Sequence, residues 1–396
     1  MTPSRVVDVE AIPLVTGSDP TDLDAGNETV LVRVTDEDGR VGVGEADAPA
    51  RVVRELVHMD DLFEWSRGLR SIVVGLDPFE LATNHARMLH DTQYHGRRGL
   101  GIHAISAVDI ALYDLAGKQL DRPAYQLLGG ACREKLRPYA TIWPGSPNGR
   151  TIGQVMDNIA ELFEKALALG FRAVKMEVVF RDLVDDRELE RCIRKGRELL
   201  GPDITMLVDF GYRWTHWRDA ARVLTHLEDC DLFLAEATVQ HDDLDGHARL
   251  AQVAPMRIAG AEFAATVQEC REWLERGKLD VLQPDVNRCG GLTELRRIAE
   301  LAFHHGAEVV PHGWKTGITA AAQRHFQAAT PCCPMIETCH PDLCDSTLRS
   351  SLTEAEASVE CGFMALADLP GLGISVNEAA VERYRLPDLR SAGSGD

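Results

Sequence analysis

The segment ITMLVDF (residues 204–210) is the clearest sign of the fold, because it is a short apolar run that ends at an acidic side chain. Similar runs recur from about residue 137, and segments with helical periodicity separate them. These runs cover residues 138–143, 173–179, 204–210, 232–236, 258–262, 281–285, 307–312 and 335–338. Val, Ile and Leu crowd into them without alternation, which is typical of parallel strands buried on both faces. Eight such strands with crossover helices predict an α/β fold built on a parallel barrel.

The first part of the chain lacks this rhythm and predicts a separate α+β domain. Residues 5–15 alternate as a strand does, and residues 29–45 predict a hairpin with its turn at Asp38-Gly39. Residues 102–120 have helical periodicity. We therefore predict an N-terminal α+β domain over residues 1–132, a barrel over 133–354 and a C-terminal segment, 355–396, that returns to the N-terminal domain.

The charge of the chain excludes several classes of partner. Its 396 residues include 62 acidic and 42 basic side chains, a formal net charge of −20. Such a surface repels phosphate backbones and anionic headgroups, so we expect neither nucleic acid nor membrane as a partner. The ten cysteines are scattered, and no leader-like segment or membrane span is visible, so we expect a cytoplasmic protein with reduced thiols. An anionic substrate would need a local attractor, for which a bound cation is the obvious candidate.

Titratable side chains end seven consecutive runs, at Lys175 and Glu177, Asp209, Glu236, Glu262, Asp285, His312 and Glu337. The carboxyl ends of the strands form the catalytic face of a parallel barrel, so these side chains should meet there. The three carboxylates Asp209, Glu236 and Glu262 come from consecutive strands and would repel one another without a cation. Oxygen-only ligation with room for water suits Mg²⁺, so we predict a Mg²⁺ site at these three residues.

Asp285 and His312 end neighbouring strands on the opposite arc of the barrel. A carboxylate beside an imidazole fixes its tautomer and raises its basicity, which makes His312 the predicted base. The Lys175 ammonium could bind a substrate carboxylate, or its neutral amine could act as a second base. Glu177, two residues on, should point to the same face of the strand. Substrate binding and a salt bridge to Lys175 explain a glutamate at this position equally well.

Several motifs occur in a familiar order: AVDIALYDLAGK (107–118), FRAVK (171–175), EATVQHD (236–242), QPD (283–285) followed by Gly290-Gly291, and PHGW (311–314). Through them the chain resembles the enolase superfamily, specifically the mandelate racemase branch, over nearly its full length. The resemblance implies an α+β capping domain on a modified (β/α)7β TIM-type barrel. It also implies abstraction of the proton α to a carboxylate, with Mg²⁺ and hydrogen-bond donors stabilising the enolate.

The resemblance also assigns roles to the strand-end residues. Asp209, Glu236 and Glu262 match the Mg²⁺ ligands, and Asp285 with His312 matches a catalytic Asp–His dyad. Lys175 matches the first lysine of a Lys-x-Lys motif, and Glu337 matches the glutamate that hydrogen-bonds the enolate opposite the metal.

Four positions depart from the family pattern. The segment Lys175-Met176-Glu177 has glutamate where the second lysine, the usual base on that face, would stand. The other three, Asp209-Phe210-Gly211, Ala235-Glu236-Ala237 and Ala261-Glu262, leave the ligand carboxylates in place. Racemisation needs an acid/base on each face of the α-carbon, whereas syn elimination of water needs one. We therefore expect a dehydratase, a hydro-lyase that converts a sugar acid (an aldonate or aldarate) to a 2-keto-3-deoxy acid.

Two other functions stay open. One is a racemase, epimerase or cycloisomerase that acts on a related carboxylic acid through the same enolate; the less favoured one is a non-catalytic metal-binding relative. Glu177, Trp314 and Arg98 are the predicted substrate contacts, although core packing for Trp314 and a surface ion pair for Arg98 are plain alternatives. Residues 17–22 and 46–51 of the capping domain are candidate specificity loops. We also expect a homo-oligomer.

Overall fold

The structure is a computed structural model that describes residues 3–17, 28–344, 346–354, 357–366 and 368–387. The N-terminal domain is an antiparallel sheet of order β1-β2-β3, covered by helices. Its strands are β1 (Val6–Val15), β2 (Glu28–Asp36) and β3 (Val41–Ala46). Its helices are α1 (Ala50–His58), α2 (Leu69–Val73), α3 (Leu81–Asp91), α4 (Gln93–Gly96), α5 (Leu100–Leu120) and α6 (Ala124–Leu127). The predicted hairpin is confirmed, because β2 and β3 pair across the turn at Asp38-Gly39.

The barrel is one parallel sheet of eight strands, in the order β11-β10-β9-β8-β7-β6-β5-β12. After β4 (Lys135–Leu136), these strands are β5 (Pro138–Ile142), β6 (Ala173–Glu177), β7 (Thr205–Asp209), β8 (Leu232–Glu236), β9 (Arg257–Gly260), β10 (Val281–Leu282), β11 (Glu308–Val309) and β12 (Ile336–Thr338). Seven helices follow the first seven barrel strands: α7 (Ile152–Ala168), α8 (Asp186–Leu200), α9 (Trp217–His226), α10 (Leu244–Val253), α11 (Val267–Glu272), α12 (Gly291–His304) and α13 (Gly317–Ala329). A 3₁₀ turn (Glu228–Cys230) and a π turn (Trp273–Gly277) complete these connections. The predicted (β/α)7β barrel with a capping domain is thus confirmed.

Two barrel strands are shorter than their apolar runs predict. β10 and β11 end three residues before Asp285 and His312, respectively. The prolines Pro284 and Pro311 lack an N–H for the strand ladder, so pairing stops before them. Asp285 and His312 therefore lie on loops at the mouth of the barrel rather than on strands.

The C-terminal segment contacts both domains. Helix α14 (Thr347–Ser351) precedes it, and the segment contains β13 (Met364–Ala365), which pairs with β4, and α15 (Glu378–Tyr384). The N–H of Leu386 donates to the carbonyl of Pro13 (2.9 Å), and Arg33 forms an ion pair with Glu378 (2.7 Å). The bounds of the three predicted segments, the homo-oligomeric state and the cytoplasmic location stay predictions.

Helix α5 is the core element of the capping domain. Within the described residues it is the one helix long and apolar enough to cross a membrane, but 89% of its apolar 18-residue stretch is buried inside the protein. Its buried Asp109 accepts hydrogen bonds from the N–H (2.9 Å) and the hydroxyl (2.7 Å) of Thr293 in the first turn of α12. The helix therefore joins the capping domain to the barrel, which gives the 107–118 motif a structural role.

We expect Gly44→Ala to lower the free energy of unfolding by about 1–3 kcal/mol, because it overpacks a tight contact. A Cβ at Gly44 would lie 1.9 Å from the carbonyl oxygen of Ala107, so β3 and α5 would have to separate. Chemical denaturation measures the change. Gly153→Ala in α7 is the matched control, since its Cβ would meet no atom closer than 3.8 Å and helical Ala is favoured over Gly. Equal stability of the two variants would contradict the prediction.

The inside of the barrel has an apolar floor and a polar layer above it. The floor is a buried cluster with one side chain from, or directly beside, each strand: Tyr139, Ala173, Leu207, Leu234, Ala259, Val281, Val310 and Met335. Because inward positions recur every second residue, the next layer consists of Thr141, Lys175, Asp209, Glu236, Ala261, Gln283, His312 and Glu337. The alternation thus brings five of the ten predicted site residues together in one layer.

Candidate active site

Lys175 lies at the centre of a buried ion cluster in the polar layer. Its Nζ is 2.7 Å from Oε1 of Glu337 and 3.0 Å from Oε2 of Glu236, and its side chain is 1% exposed. Oδ2 of Asp209 is 3.9 Å away. Burial disfavours the ammonium, but Glu236 and Glu337 outweigh it and raise the pKa of Lys175 well above its usual value. In this arrangement Lys175 is a cation and not an amine base.

Glu337 accepts all of its hydrogen bonds. The Lys175 ammonium and the Thr141 hydroxyl (2.5 Å) contact Oε1, and the N–H of Gly313 donates to Oε2 (2.7 Å). Burial alone would raise the pKa of Glu337, but Lys175 and His312 lower it to about 2. A role as hydrogen-bond donor to an enolate would therefore require a proton that these surroundings disfavour.

The structure brings His312 and Asp285 into contact, with Nδ1 and Oδ2 2.6 Å apart. The N–H of Asn287 donates to Oδ1 of Asp285 (2.7 Å) and so fixes the carboxylate. Nε2 of His312 lies 3.3 Å from Oε2 of Glu262. Burial disfavours the imidazolium, but Glu262, Asp285 and Glu337 raise the pKa of His312 to about 10. Because Asp285 engages Nδ1, Nε2 is the nitrogen available for proton transfer.

The three predicted metal ligands lie at neighbouring strand ends but contact different partners. Asp209 and Glu236 are adjacent in the β7–β8 pairing and both lie near Lys175. Glu262 instead accepts hydrogen bonds from the hydroxyl of Tyr212 (2.7 Å) and the guanidinium of Arg288 (3.4 Å). Within the described residues, no three His, Cys, Asp or Glu side chains have a geometry that could hold a metal ion.

The chemistry of these donors nevertheless fits a hard dication. Three carboxylates from consecutive strands supply the oxygen-only set that Mg²⁺ prefers. Burial and the charge of Glu236 raise the pKa of Asp209 well above its usual value. A bound cation would relieve the repulsion between these two carboxylates. Ligation would require Glu236 and Glu262 to turn from their present partners.

The salt bridge between Lys175 and Glu177, one of the two open interpretations of Glu177, is absent among the described residues, since the Lys175 ammonium contacts Glu236 and Glu337 instead. Among the described residues, the Glu177 carboxyl has no hydrogen-bond or ion-pair partner. Burial, together with Glu337 and Glu236, raises its pKa to about 8 against the opposing effect of Lys175. A half-buried carboxyl without a partner therefore occupies the position of the second family lysine.

The structure separates the other predicted substrate contacts. Arg98 forms an ion pair with Glu269 (2.8 Å) and lines a cavity of about 650 Å³ that none of the ion-cluster residues lines. Its surface ion pair is the alternative that the contacts support. Trp314 is half-buried and follows Gly313, whose N–H contacts Glu337. Residues 18–22 of the first candidate loop lie outside the described residues, whereas Asp47 of the second reaches the site.

Four contacting residues escaped the sequence prediction: Thr141, Gln283, Tyr212 and Arg288. Gln283 donates to Oε2 of Glu236 (2.6 Å), and it stands two residues after Val281 of the floor. Thr141 stands two residues after Tyr139 in the same way, so the alternation of inward positions could have identified both. Tyr212 and Arg288 lie on loops, where no periodic signal exists.

Two family models together cover most of the chain. The model described as "Enolase C-terminal domain-like" matches residues 158–380, and that described as "Mandelate racemase / muconate lactonizing enzyme, N-terminal domain" matches residues 12–129. The chain belongs to the mandelate racemase/muconate lactonizing enzyme family. Its capping domain and barrel are therefore those of an enolase-superfamily protein.

Curated members of this family that resemble the chain are sugar-acid enzymes of two kinds. The chain is 33% identical to the D-galactarolactone cycloisomerase of Agrobacterium fabrum, over 91% of its own length and 92% of that protein. It is 33% identical to the L-rhamnonate dehydratase of Saccharopolyspora erythraea, over 88% and 83%, respectively. Both hydro-lyases and isomerases are thus close relatives.

A solved structure similar to the chain contains magnesium. The crystal structure of a racemase from Streptomyces coelicolor A3(2) with bound magnesium has a TM-score of 0.81 and 27% identity to the chain. The match covers 96% of this chain and 100% of that one. Members of the enolase superfamily bind Mg²⁺, which agrees with the donor set at Asp209, Glu236 and Glu262.

Proposed function

We propose that the protein is a Mg²⁺-dependent dehydratase that converts an aldonate or aldarate to a 2-keto-3-deoxy acid. The observation that carries this proposal is the enclosure of the Lys175 ammonium by Glu236 and Glu337 at 3.0 Å or less. A lysine held in this way cannot take a proton from the substrate. His312 is then the nitrogen base, and elimination of water from one face needs no second base.

In this mechanism His312 acts twice on the same face of the substrate. Its Nε2 takes the α-proton, and the C–H electron pair forms the enolate while Asp285 on Nδ1 stabilises the imidazolium. The enolate expels the β-hydroxyl, which receives the proton back from Nε2 and leaves as water. The resulting enol tautomerises to the 2-keto-3-deoxy acid. Lys175 stays paired with Glu337, and this lowers the repulsion that an anionic substrate would meet.

Asp209, Glu236 and Glu262 would hold the Mg²⁺ ion, which when bound supplies electrostatic stabilisation of the dianionic enolate. Engagement of Glu262 as a ligand would also change the surroundings of His312. In the structure Glu262 stabilises the imidazolium through its contact with Nε2. With that charge neutralised, the pKa of His312 would fall towards the range in which the neutral imidazole accepts a proton.

A second candidate function, a racemase, epimerase or cycloisomerase, is supported by Glu177. Its carboxyl ends β6 two residues after Lys175 and has no partner among the described residues. A carboxyl so placed could serve as the second acid/base that a 1,1-proton transfer requires. The similarity to D-galactarolactone cycloisomerase agrees with this alternative.

Glu177→Gln separates the two functions, because only the second one uses Glu177 as an acid/base. Aldonates, aldarates and their lactones are screened with Mg²⁺ for 2-keto-3-deoxy product, and the best acid is followed by NMR in D₂O. We expect the wild type to release product and Glu177→Gln to retain its rate within about tenfold. Loss of a required acid/base would instead cost about 10²–10⁴-fold. The proposal fails if no acid is dehydrated while one is racemised, is cycloisomerised or exchanges its α-proton.

A further inference from the structure

Asp47 of the capping domain lies between two cations of the barrel. It directly follows β3, and its Oδ1 is 3.0 Å from Nζ of Lys315, while Oδ2 forms an ion pair with the guanidinium of Arg288. The three side chains are at most 12% exposed. Burial disfavours the carboxylate, but Arg288 and Lys315 hold the pKa of Asp47 well below its usual value. Both oxygens of this candidate specificity residue are thus engaged by the protein itself.

The two cations have equivalent positions relative to the dyad. Arg288 stands three residues after Asp285, and Lys315 stands three residues after His312. Nζ of Lys315 also donates to the carbonyl of Glu28 in β2 (3.0 Å). The two loops that carry the dyad are therefore both attached to the capping domain, and Asp47 is their shared contact.

Arg288 also contacts Glu262, one of the three predicted metal ligands. Its Nη1 is 3.4 Å from Oε2 of Glu262, the same oxygen that lies 3.3 Å from Nε2 of His312. The guanidinium also lies over the ring of Phe263, 5.1 Å from its centroid. A planar guanidinium directs its two terminal nitrogens along fixed lines, so its contact with Asp47 orients the nitrogen that faces Glu262.

We propose that Arg288 is a positioning residue that, held by Asp47, orients Glu262 relative to His312 and so couples docking of the capping domain to assembly of the active site. This inference rests on the proposed function for its kinetic consequence. The orientation of Glu262 is a property of the substrate-free protein and can be measured without turnover.

The test uses Asp47→Asn, Arg288→Gln and the double variant in the full-length protein. Loss of a residue that orients a metal ligand costs about 10–100-fold in metal affinity or activity. We expect each single variant to weaken Mg²⁺ binding to the substrate-free protein by about tenfold or more in calorimetry, and to lower kcat for the best acid of the screen while KM stays within threefold. Because Asp47 acts through Arg288, the double variant should lose little more than either single variant.

Arg33→Gln is the matched control, since it removes another ion pair of the capping domain, with Glu378 of the C-terminal segment. It should leave Mg²⁺ affinity and kcat unchanged. The inference is overturned if Asp47→Asn lowers only Tm, as a merely structural pair would, or raises KM alone, as a substrate contact would. Additive losses in the double variant would also overturn it. If no acid is turned over, the proposed function fails while the calorimetric result still decides the role of Arg288.

Discussion

His312→Asn should lower dehydration of the accepted sugar acid by about 10²–10⁴-fold, the range that a positioned acid/base contributes. Asparagine keeps an amide that can hydrogen-bond Asp285, but it has no nitrogen that accepts a proton. The contact between Nδ1 and Oδ2, 2.6 Å in the wild type, makes Nε2 the reactive atom, and this atom is lost. Steady-state assays of 2-keto-3-deoxy product measure the change, and α-proton exchange in D₂O should fall with it.

Asp285→Asn provides the matched comparison for this variant. It retains the imidazole but removes the carboxylate that holds its tautomer, so we expect a smaller loss in kcat than for His312→Asn. Circular dichroism and thermal unfolding should show that both variants fold. Persistence of α-proton exchange in His312→Asn at the wild-type rate would assign the base to another residue, Glu177 first among them.

Lys175→Met should lower the free energy of unfolding by about 3–5 kcal/mol in the absence of divalent cations. The cost arises because Glu236 and Glu337 stay buried while their shared ammonium is gone, and breaking a buried ion pair by removing one partner is strongly destabilising. Methionine fills a similar volume, so the effect is electrostatic rather than a cavity. Urea denaturation with a chelator present measures it.

The contribution of Glu337 to the pH dependence of stability should change sign in this variant. In the wild type the pKa of Glu337 is lowered to about 2, so its stabilising contribution is present above about pH 4.5 and is lost as the pH falls towards 2. Without the ammonium, burial raises the pKa of the remaining carboxyls, and the folded state binds more protons than the unfolded one. As the pH falls from 8 to 5, the stability of Lys175→Met should therefore increase more steeply than that of the wild type, in which the raised pKa of Glu177, about 8, already gives a rise.

Two further variants check the origin of the effect. Lys175→Met/Glu337→Gln removes one uncompensated charge and should recover part of the lost stability. Lys118→Met breaks the ion pair with Asp114 (2.7 Å), whose lysine is 29% exposed, so we expect a smaller loss. Wild-type stability of Lys175→Met would show that the buried cluster is not held by this cation.

The sequence showed which residues gather at the mouth of the barrel but not which of them pair. Their positions at the ends of consecutive apolar runs predicted that Lys175, Asp209 and Glu236 would meet, and the structure brings them together. This pattern could not choose partners, so it left a salt bridge to Glu177 open although the Lys175 ammonium contacts Glu236 and Glu337. Nor could it relate Asp47 to Arg288, which are 241 positions apart and meet only because the capping domain docks on the barrel.

The apolar floor of the barrel also governs how substrate and product move. Eight packed side chains close the barrel below the ion cluster, so substrate and product must pass through the opposite end, where Asp47 of the capping domain contacts Arg288 and Lys315. The sugar acid, the product and the water formed therefore share one side of the barrel. Because opening of a covering element can limit kcat, we expect variants that strengthen these contacts to slow product release.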